Sequence, residues 1–182
     1  MTPLPLLGFA GFSGVGKTTL LAAVLPLLGQ QGVRVGMIKH AHHNFDIDQP
    51  GKDSYVLRKA GAGQMLIASS QRWALMVEND GVPRDPQLDT LLGHLDQTRL
   101  DLILVEGFKH EAIPKIEVHR AAAGHPLLCG GDSNIIAIAC DTATQLSTPI
   151  TRLDINAPAQ VAAFIVKYVA GINPGPGPAL PR

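Results

Sequence analysis

The sequence predicts an α/β fold on a mostly parallel sheet, with an antiparallel hairpin extending it. Three observations carry that prediction. Apolar, strand-like runs alternate with helix-like stretches along the chain. A glycine-rich turn, GFSGVGKTTL at Gly11–Leu20, joins the first strand to the first helix. Two further strand-like runs, Gln64–Ser69 and Arg72–Asn79, are separated by a tight turn, as in a hairpin.

The elements follow in order. Leu4–Ala10 is short, apolar and stopped by Gly11, which reads as a buried strand. From Lys17 to about Gln30, Leu20, Leu21, Val24, Leu27 and Leu28 share one helical face, although Pro26 withholds a backbone hydrogen bond there. Val33–Ile38 is a second strand, completing a βαβ unit whose two strands are expected to pair in parallel. His40–Gly51 is polar and reads as a loop, and Lys52–Gly61 as a short helix closed by the glycines of AGAG. The hairpin comes next and would make the sheet mixed. Pro86–Gln97 is amphipathic through Leu88, Leu91, Leu92 and Leu95. Leu100–Val105, Ile113–His119 and Asn134–Cys140 supply further strands, and Ala157–Ala170 a closing helix. Residues 1–172 are expected to form a single domain; residues 173–182, rich in proline and glycine, read as a disordered tail.

Composition narrows the function classes. Fifteen basic residues balance fifteen acidic ones, so the chain lacks the basic stripe of a nucleic-acid binder, and an anionic partner must be met locally. Cys129 and Cys140 have no CxxC spacing and read as buried, reduced thiols. No charged segment precedes an apolar one at the start, and no apolar run approaches the roughly 20 residues of a membrane span. The expectation is a cytoplasmic protein.

Gly11–Thr18 fits G-x-x-x-x-G-K-[ST], between a strand and a helix, where the chemistry requires it. Gly11, Gly14 and Gly16 let the backbone approach a polyphosphate. The N–H groups of this loop, those of Ser13 and Val15 included, then converge on phosphate oxygens, and the helix N-terminus adds partial positive charge. Lys17 is placed for the β and γ phosphates, Thr18 for Mg²⁺, and Thr19 for a phosphate nearer the nucleoside. The motif implies nucleoside triphosphate binding and leaves the triphosphate's fate open.

Two more segments belong to the same sheet edge by prediction. In a parallel sheet, ligands bind beyond the carboxyl ends of strands. Glu106 ends the run LILVE and would reach that edge, to hold Mg²⁺ directly or through water; a solvated acid is the alternative. Asp101 lies at the opposite end of the strand and is not assigned to the metal. The loop KHAHHNFDID at Lys39–Asp48 follows the second strand. Asp46 and Asp48 are candidates for the outer Mg²⁺ shell or for orienting an attacking water, while Lys39, His40 and the other histidines are candidates for phosphate or a second anion. The H-x-H-H cluster also raises nickel or zinc, though its spacing matches no standard zinc pattern. Lys52, Arg58 and Lys109 are further cations for phosphate, with capping or solvent exposure as the plainer roles.

Together these segments resemble the molybdopterin-guanine dinucleotide biosynthesis adapters, the MobB family of P-loop proteins. The resemblance rests on GFSGVGKTTL, KHAHHNFDIDQPGKDS at Lys39–Ser54, RKAGA at Arg58–Ala62, DLILVEGFK at Asp101–Lys109 and IPKIEVHR at Ile113–Arg120. It implies a three-layer, P-loop NTPase-like fold and a homodimer that binds GTP and Mg²⁺ with weak GTPase activity. It further implies assistance to the guanylyltransferase MobA, which joins GMP to molybdopterin, with molybdopterin itself a candidate ligand. By matching position, Gly11–Thr19 would cradle GTP, Glu106 would take the Walker B place, and the His40–Asp48 loop would respond to nucleotide or face the cofactor. No N/T-K-x-D motif is evident for guanine; Asp141, after a late strand, is a substitute or merely a loop acid. Two rival readings stand beside this one. A small-molecule kinase would use the same loop, but the arginines form no lid-like cluster; a GTP-driven nickel or zinc metallochaperone would explain HAHH.

Overall fold

The computed structural model describes residues 4–41, 45–79, 85–147 and 149–172. The expected tail at 173–182 lies outside them. The chain divides into two compact units, one made of residues up to His40 together with those from Gln87 onward, the other of Ala41–Pro86.

The larger unit carries a six-stranded, wholly parallel sheet. Its strands are β1 (Leu6–Ala10), β2 (Val35–Lys39), β5 (Leu102–Glu106), β6 (Lys115–His119), β7 (Ile135–Cys140) and β8 (Thr151–Asp154), in spatial order β2-β5-β1-β6-β7-β8. Helices α1 (Lys17–Gln30), α3 (Leu88–Leu92) and α4 (Pro158–Ile172) belong to this unit. Pro26 stays inside α1, which runs its expected length.

The first two strands do not pair, contrary to the βαβ expectation: β5 lies between them. The reason is apolar content. Every residue of β5 is buried, so it takes an interior position, whereas β2 alternates buried with half-exposed positions and ends on exposed Lys39, which suits an edge. β1 also pairs with β6 on its other side and so sits where the sheet reverses its winding. The edge strand β8 escaped the sequence reading because TRLD offers four residues with only Leu153 buried. Helix α3 is shorter than the leucine pattern implied, stopping at Leu92 before Gly93 and a 3₁₀ turn at Gln97–Arg99.

Two apolar clusters fill the unit. One joins Leu7, Phe9, Leu20, Leu21, Val24 and Leu28 to Val161 and Ile165 of α4; the other joins Ile38, Ile103 and Val105 to Leu88 of α3. Helices α1 and α4 pack with the first cluster and α3 with the second, which accounts for the layered arrangement. Cys140 is buried and Cys129 half-buried, both as free thiols whose pKa burial pushes up.

In the smaller unit, α2 (Asp53–Lys59) precedes β3 (Gln64–Ala68) and β4 (Trp73–Val77). The expected hairpin is present and antiparallel, with Gln64 opposite Val77 and Ala68 opposite Trp73. It forms a two-stranded sheet of its own, so the main sheet is not mixed. Ser69 closes the turn: its N–H donates to the Arg72 carbonyl and its hydroxyl oxygen accepts from the Gln71 and Arg72 N–H groups. Among the described residues no helix is long and apolar enough to cross a membrane.

Candidate functional site

The loop between β1 and α1 has the conformation its glycines permit. Gly11 has φ 148°, and a Cβ there would lie 2.4 Å from the Val118 carbonyl oxygen, so only glycine fits against β6. Gly16, in the left-handed region, leads into α1. The Lys17 ammonium folds back over the loop, donating to the Gly11 carbonyl (2.9 Å) and the Phe12 carbonyl (2.8 Å). Its pKa is lowered, mainly by burial, with the Glu106 carboxylate opposing that shift. Phe12 is fixed in turn: its ring stacks on His125 at 4.4 Å, and the Lys109 ammonium lies 5.8 Å from its centroid.

Sheet register places the second carboxylate. Glu106 is level with Phe9 of β1 on one side and with Lys39 of β2 on the other. Thr18, in the first turn of α1, donates its hydroxyl proton to Glu106 Oε1 at 2.7 Å. The Lys39 ammonium lies 3.2 Å from Glu106 Oε2 and donates to Thr18 Oγ1 at 3.3 Å. A hydroxyl, a buried carboxylate and two lysines thus meet at the carboxyl edge of β1, β5 and β2. Hydroxyl and carboxylate oxygens in contact are a hard donor pair of the kind Mg²⁺ prefers, so Thr18 and Glu106 fit a magnesium site. Just beyond Glu106, a Cβ on Gly107 (φ 91°) would lie 2.8 Å from His40 Cβ. His40 therefore packs against this turn, its N–H bonded to the Glu106 carbonyl and its ring 4.9 Å from that of Phe108.

Asp46 and Asp48 belong to the smaller unit, and there both are held by Arg58. One guanidinium nitrogen donates to Asp46 and Asp48 at 2.6 Å each, and another to Glu78 at 2.6 Å. The Arg58 side chain is only 6% exposed and that of Asp48 3%. The hydrogen bond from Arg58 holds the Asp48 carboxyl below its usual pKa. Arg58 thus meets carboxylates rather than phosphate. His42 and His43 lie outside the described residues, and among those described no three His, Cys, Asp or Glu side chains gather as a metal site.

Asp141 stands at the carboxyl end of β7, as expected, but its carboxylate is engaged. One oxygen accepts from the Ala121 N–H (3.1 Å), the other from the Thr144 N–H (3.1 Å) and hydroxyl (2.8 Å). The Thr144 hydrogen bond lowers its pKa.

Two residues at this edge escaped the sequence reading, Arg120 after β6 and Asn156 after β8. Together with Gly16 and Thr19 they line a concavity of about 210 Å³ beside the start of α1. Arg120 had a signal available, since it follows strand IEVH as Glu106 ends its own strand. Asn156 had none, because its strand went unrecognised.

Comparison with known proteins agrees with this architecture. The family model described as molybdopterin guanine dinucleotide synthesis protein B (MobB) matches residues 6–141. The molybdopterin-guanine dinucleotide biosynthesis adapter protein of Escherichia coli K12 is 50% identical over 175 residues, which span 94% of this chain and 97% of that protein. The protein of the same name from Haemophilus influenzae is 43% identical over 166 residues, spanning 91% of this chain and 90% of that one. The crystal structure of Bacillus subtilis MobB superposes with a TM-score of 0.71 at 23% identity, covering 90% of this chain and 97% of its own. The match over most of both chains, joined to the phosphate loop and Glu106 on one edge, shows that this chain belongs to the MobB family.

Proposed function

We propose that the chain is a GTP-binding adapter with weak GTPase activity that assists a guanylyltransferase, MobA, in joining GMP to molybdopterin. The observation that carries this reading is the contact between Thr18 and Glu106 beside the glycine-rich loop, which offers the hydroxyl and carboxylate that a nucleotide–Mg²⁺ site would need. The adapter role is supported by the names of the E. coli and H. influenzae relatives.

The chain's own groups would divide the work as follows. N–H groups of the loop and the α1 N-terminus hold the phosphates. Lys17 exchanges the Gly11 and Phe12 carbonyls for β and γ oxygens, a charge-assisted replacement for neutral acceptors. Thr18 and Glu106 would hold Mg²⁺, which when bound screens the phosphate charge. Lys39, already in contact with both groups, would add a second ammonium beside the phosphates. Asp46 and Asp48, bound by Arg58, would act in holding their own stretch to α2 rather than on water. The sequence carries no evident arginine finger or positioned glutamine, in keeping with slow hydrolysis.

Calorimetric titration with GTP and ATP, with molybdopterin present and absent, tests this function. GTP is expected to bind in the presence of Mg²⁺ and more tightly than ATP, with coupling between nucleotide and pterin. Equal affinity for the two nucleotides would overturn the assignment.

The hairpin supports a homodimer. Leu66, Trp73, Leu75 and Val77 are exposed on β3 and β4, and a two-stranded sheet has open edges that invite another strand. Light scattering should give twice the 19.2 kDa chain mass. Trp73→Glu should shift the population toward monomer; a wild-type monomer at micromolar concentration would rule the dimer out.

A further inference from the structure

The concavity beside Thr19 has a composition suited to one heterocycle. Its volume of about 210 Å³ is below the roughly 300–1,000 Å³ of drug-sized pockets, enough for a base but not for a dinucleotide. Ile155, which is buried, and Pro158 give it apolar surface, and Arg120 and Asn156 give it polar groups. Arg120 Nη2 donates to Asn156 Oδ1 at 3.3 Å, which orients the guanidinium. The Arg120 Nε lies 3.7 Å from where a Cβ on Gly16 would stand, so this cation sits at the rim of the phosphate loop. Gly16 and Thr19, at the end of the loop, line this concavity, so a nucleotide held on Gly11–Thr18 would have it alongside.

We propose that this concavity takes the base of the nucleotide and that Arg120, oriented by Asn156, reads guanine through its O6 and N7. The inference rests on the proposed triphosphate site and deepens it. Arg120 has only donors to offer. Guanine presents two acceptors, O6 and N7, on one edge, which an arginine meets with two parallel hydrogen bonds. Adenine presents N7 beside an N6 amino group, so a donor would face a donor. Asp141, the other candidate for guanine, would have to accept from N1–H and the N2 amino group. Its carboxylate is instead held to its own loop by Ala121 and Thr144, and its backbone carbonyl accepts from Arg152. Asp141 shapes its own loop through these bonds, and Arg120 offers the donors that O6 and N7 require.

Analogue binding separates the two edges of guanine. ITP keeps O6 and N7 but lacks the N2 amino group, whereas 7-deaza-GTP lacks the N7 acceptor. If Arg120 reads the base, ITP binds like GTP and 7-deaza-GTP binds about tenfold more weakly, the scale of half a bidentate contact. Arg120→Ala should lower the GTP-to-ATP affinity ratio about tenfold to a hundredfold, whatever it takes from both nucleotides through the phosphates. Asn156→Ala should lower that ratio less, as befits a positioning residue. Arg120 is half-exposed, so its truncation leaves the core intact, which far-UV circular dichroism checks. A strong loss with ITP, or an unchanged nucleotide ratio in Arg120→Ala, overturns the inference while leaving triphosphate binding in place. Wild-type protein that binds no triphosphate overturns the underlying reading instead.

Discussion

Lys17→Ala is expected to weaken GTP binding by at least about a hundredfold while leaving the fold unchanged. A lysine ammonium on phosphate forms charge-assisted hydrogen bonds, roughly twice as strong as neutral ones, and loss of the cation leaves the β and γ charges without their nearest counter-charge inside the loop. The protein itself loses little, because the ammonium's partners here are two loop carbonyls, Gly11 and Phe12, which water can serve once the side chain is gone. Calorimetry measures the affinity and thermal unfolding the stability. Undiminished GTP affinity in Lys17→Ala would show that the nucleotide is held elsewhere. Glu106→Gln gives a complementary result: nucleotide affinity should become less dependent on Mg²⁺ concentration, because the amide keeps the Thr18 contact but carries no charge for the metal.

Arg58→Met is expected to loosen the smaller unit selectively. Arg58 bridges Asp46, Asp48 and Glu78, and so ties these carboxylates to α2. Its removal leaves three mutually repelling carboxylates, with Asp48 almost wholly shielded from water. Backbone amides of residues 45–79 should exchange with solvent on the order of tenfold faster or more, while those of β1, β5 and β6 keep their protection. The effect carries a pH signature. Asp48 has a lowered pKa through its Arg58 hydrogen bond, so its contribution to stability is present above the ordinary carboxylate range. That contribution is lost as pH falls through the depressed native value. Wild-type protection of residues 45–79 should therefore decline on acidification below the ordinary range, and Arg58→Met should lack that decline. Equal exchange in the two proteins at neutral pH would remove Arg58 from this organising role.

The glycine-rich loop between β1 and α1 was legible because its conformation is set locally. Gly11, Gly14, Gly16, Lys17 and Thr18 act within eight consecutive residues, and the flanking strand and helix follow from their own apolar patterns. Glu106 was legible for a weaker reason: a parallel strand sends its last residue to the ligand-binding edge, whichever strand it pairs with. Asp46 and Asp48 looked equally suited to the metal, since sequence gives the charge of a carboxylate but not its partner. Arg58, ten and twelve residues further on, has the charge for a phosphate ligand or a cap, yet the fold turns it to these carboxylates. Asp141 illustrates the same limit, with both oxygens turned to its own loop.

By itself, the sequence determined that this is an α/β protein with a glycine-rich strand-to-helix loop and a hairpin, because those features depend on local conformational preference and on apolar periodicity. Tertiary structure decided the neighbours. β5 entered between β1 and β2 because a strand buried along its whole length is most stable in the interior of a sheet, and that insertion set Glu106 level with Lys39 and within reach of Thr18. The same closure of the sheet brought Arg120 and Asn156, separated by 36 residues, to one rim. Such contacts depend on strand order and register, which arise from burial across the whole sheet and leave no mark in any single segment.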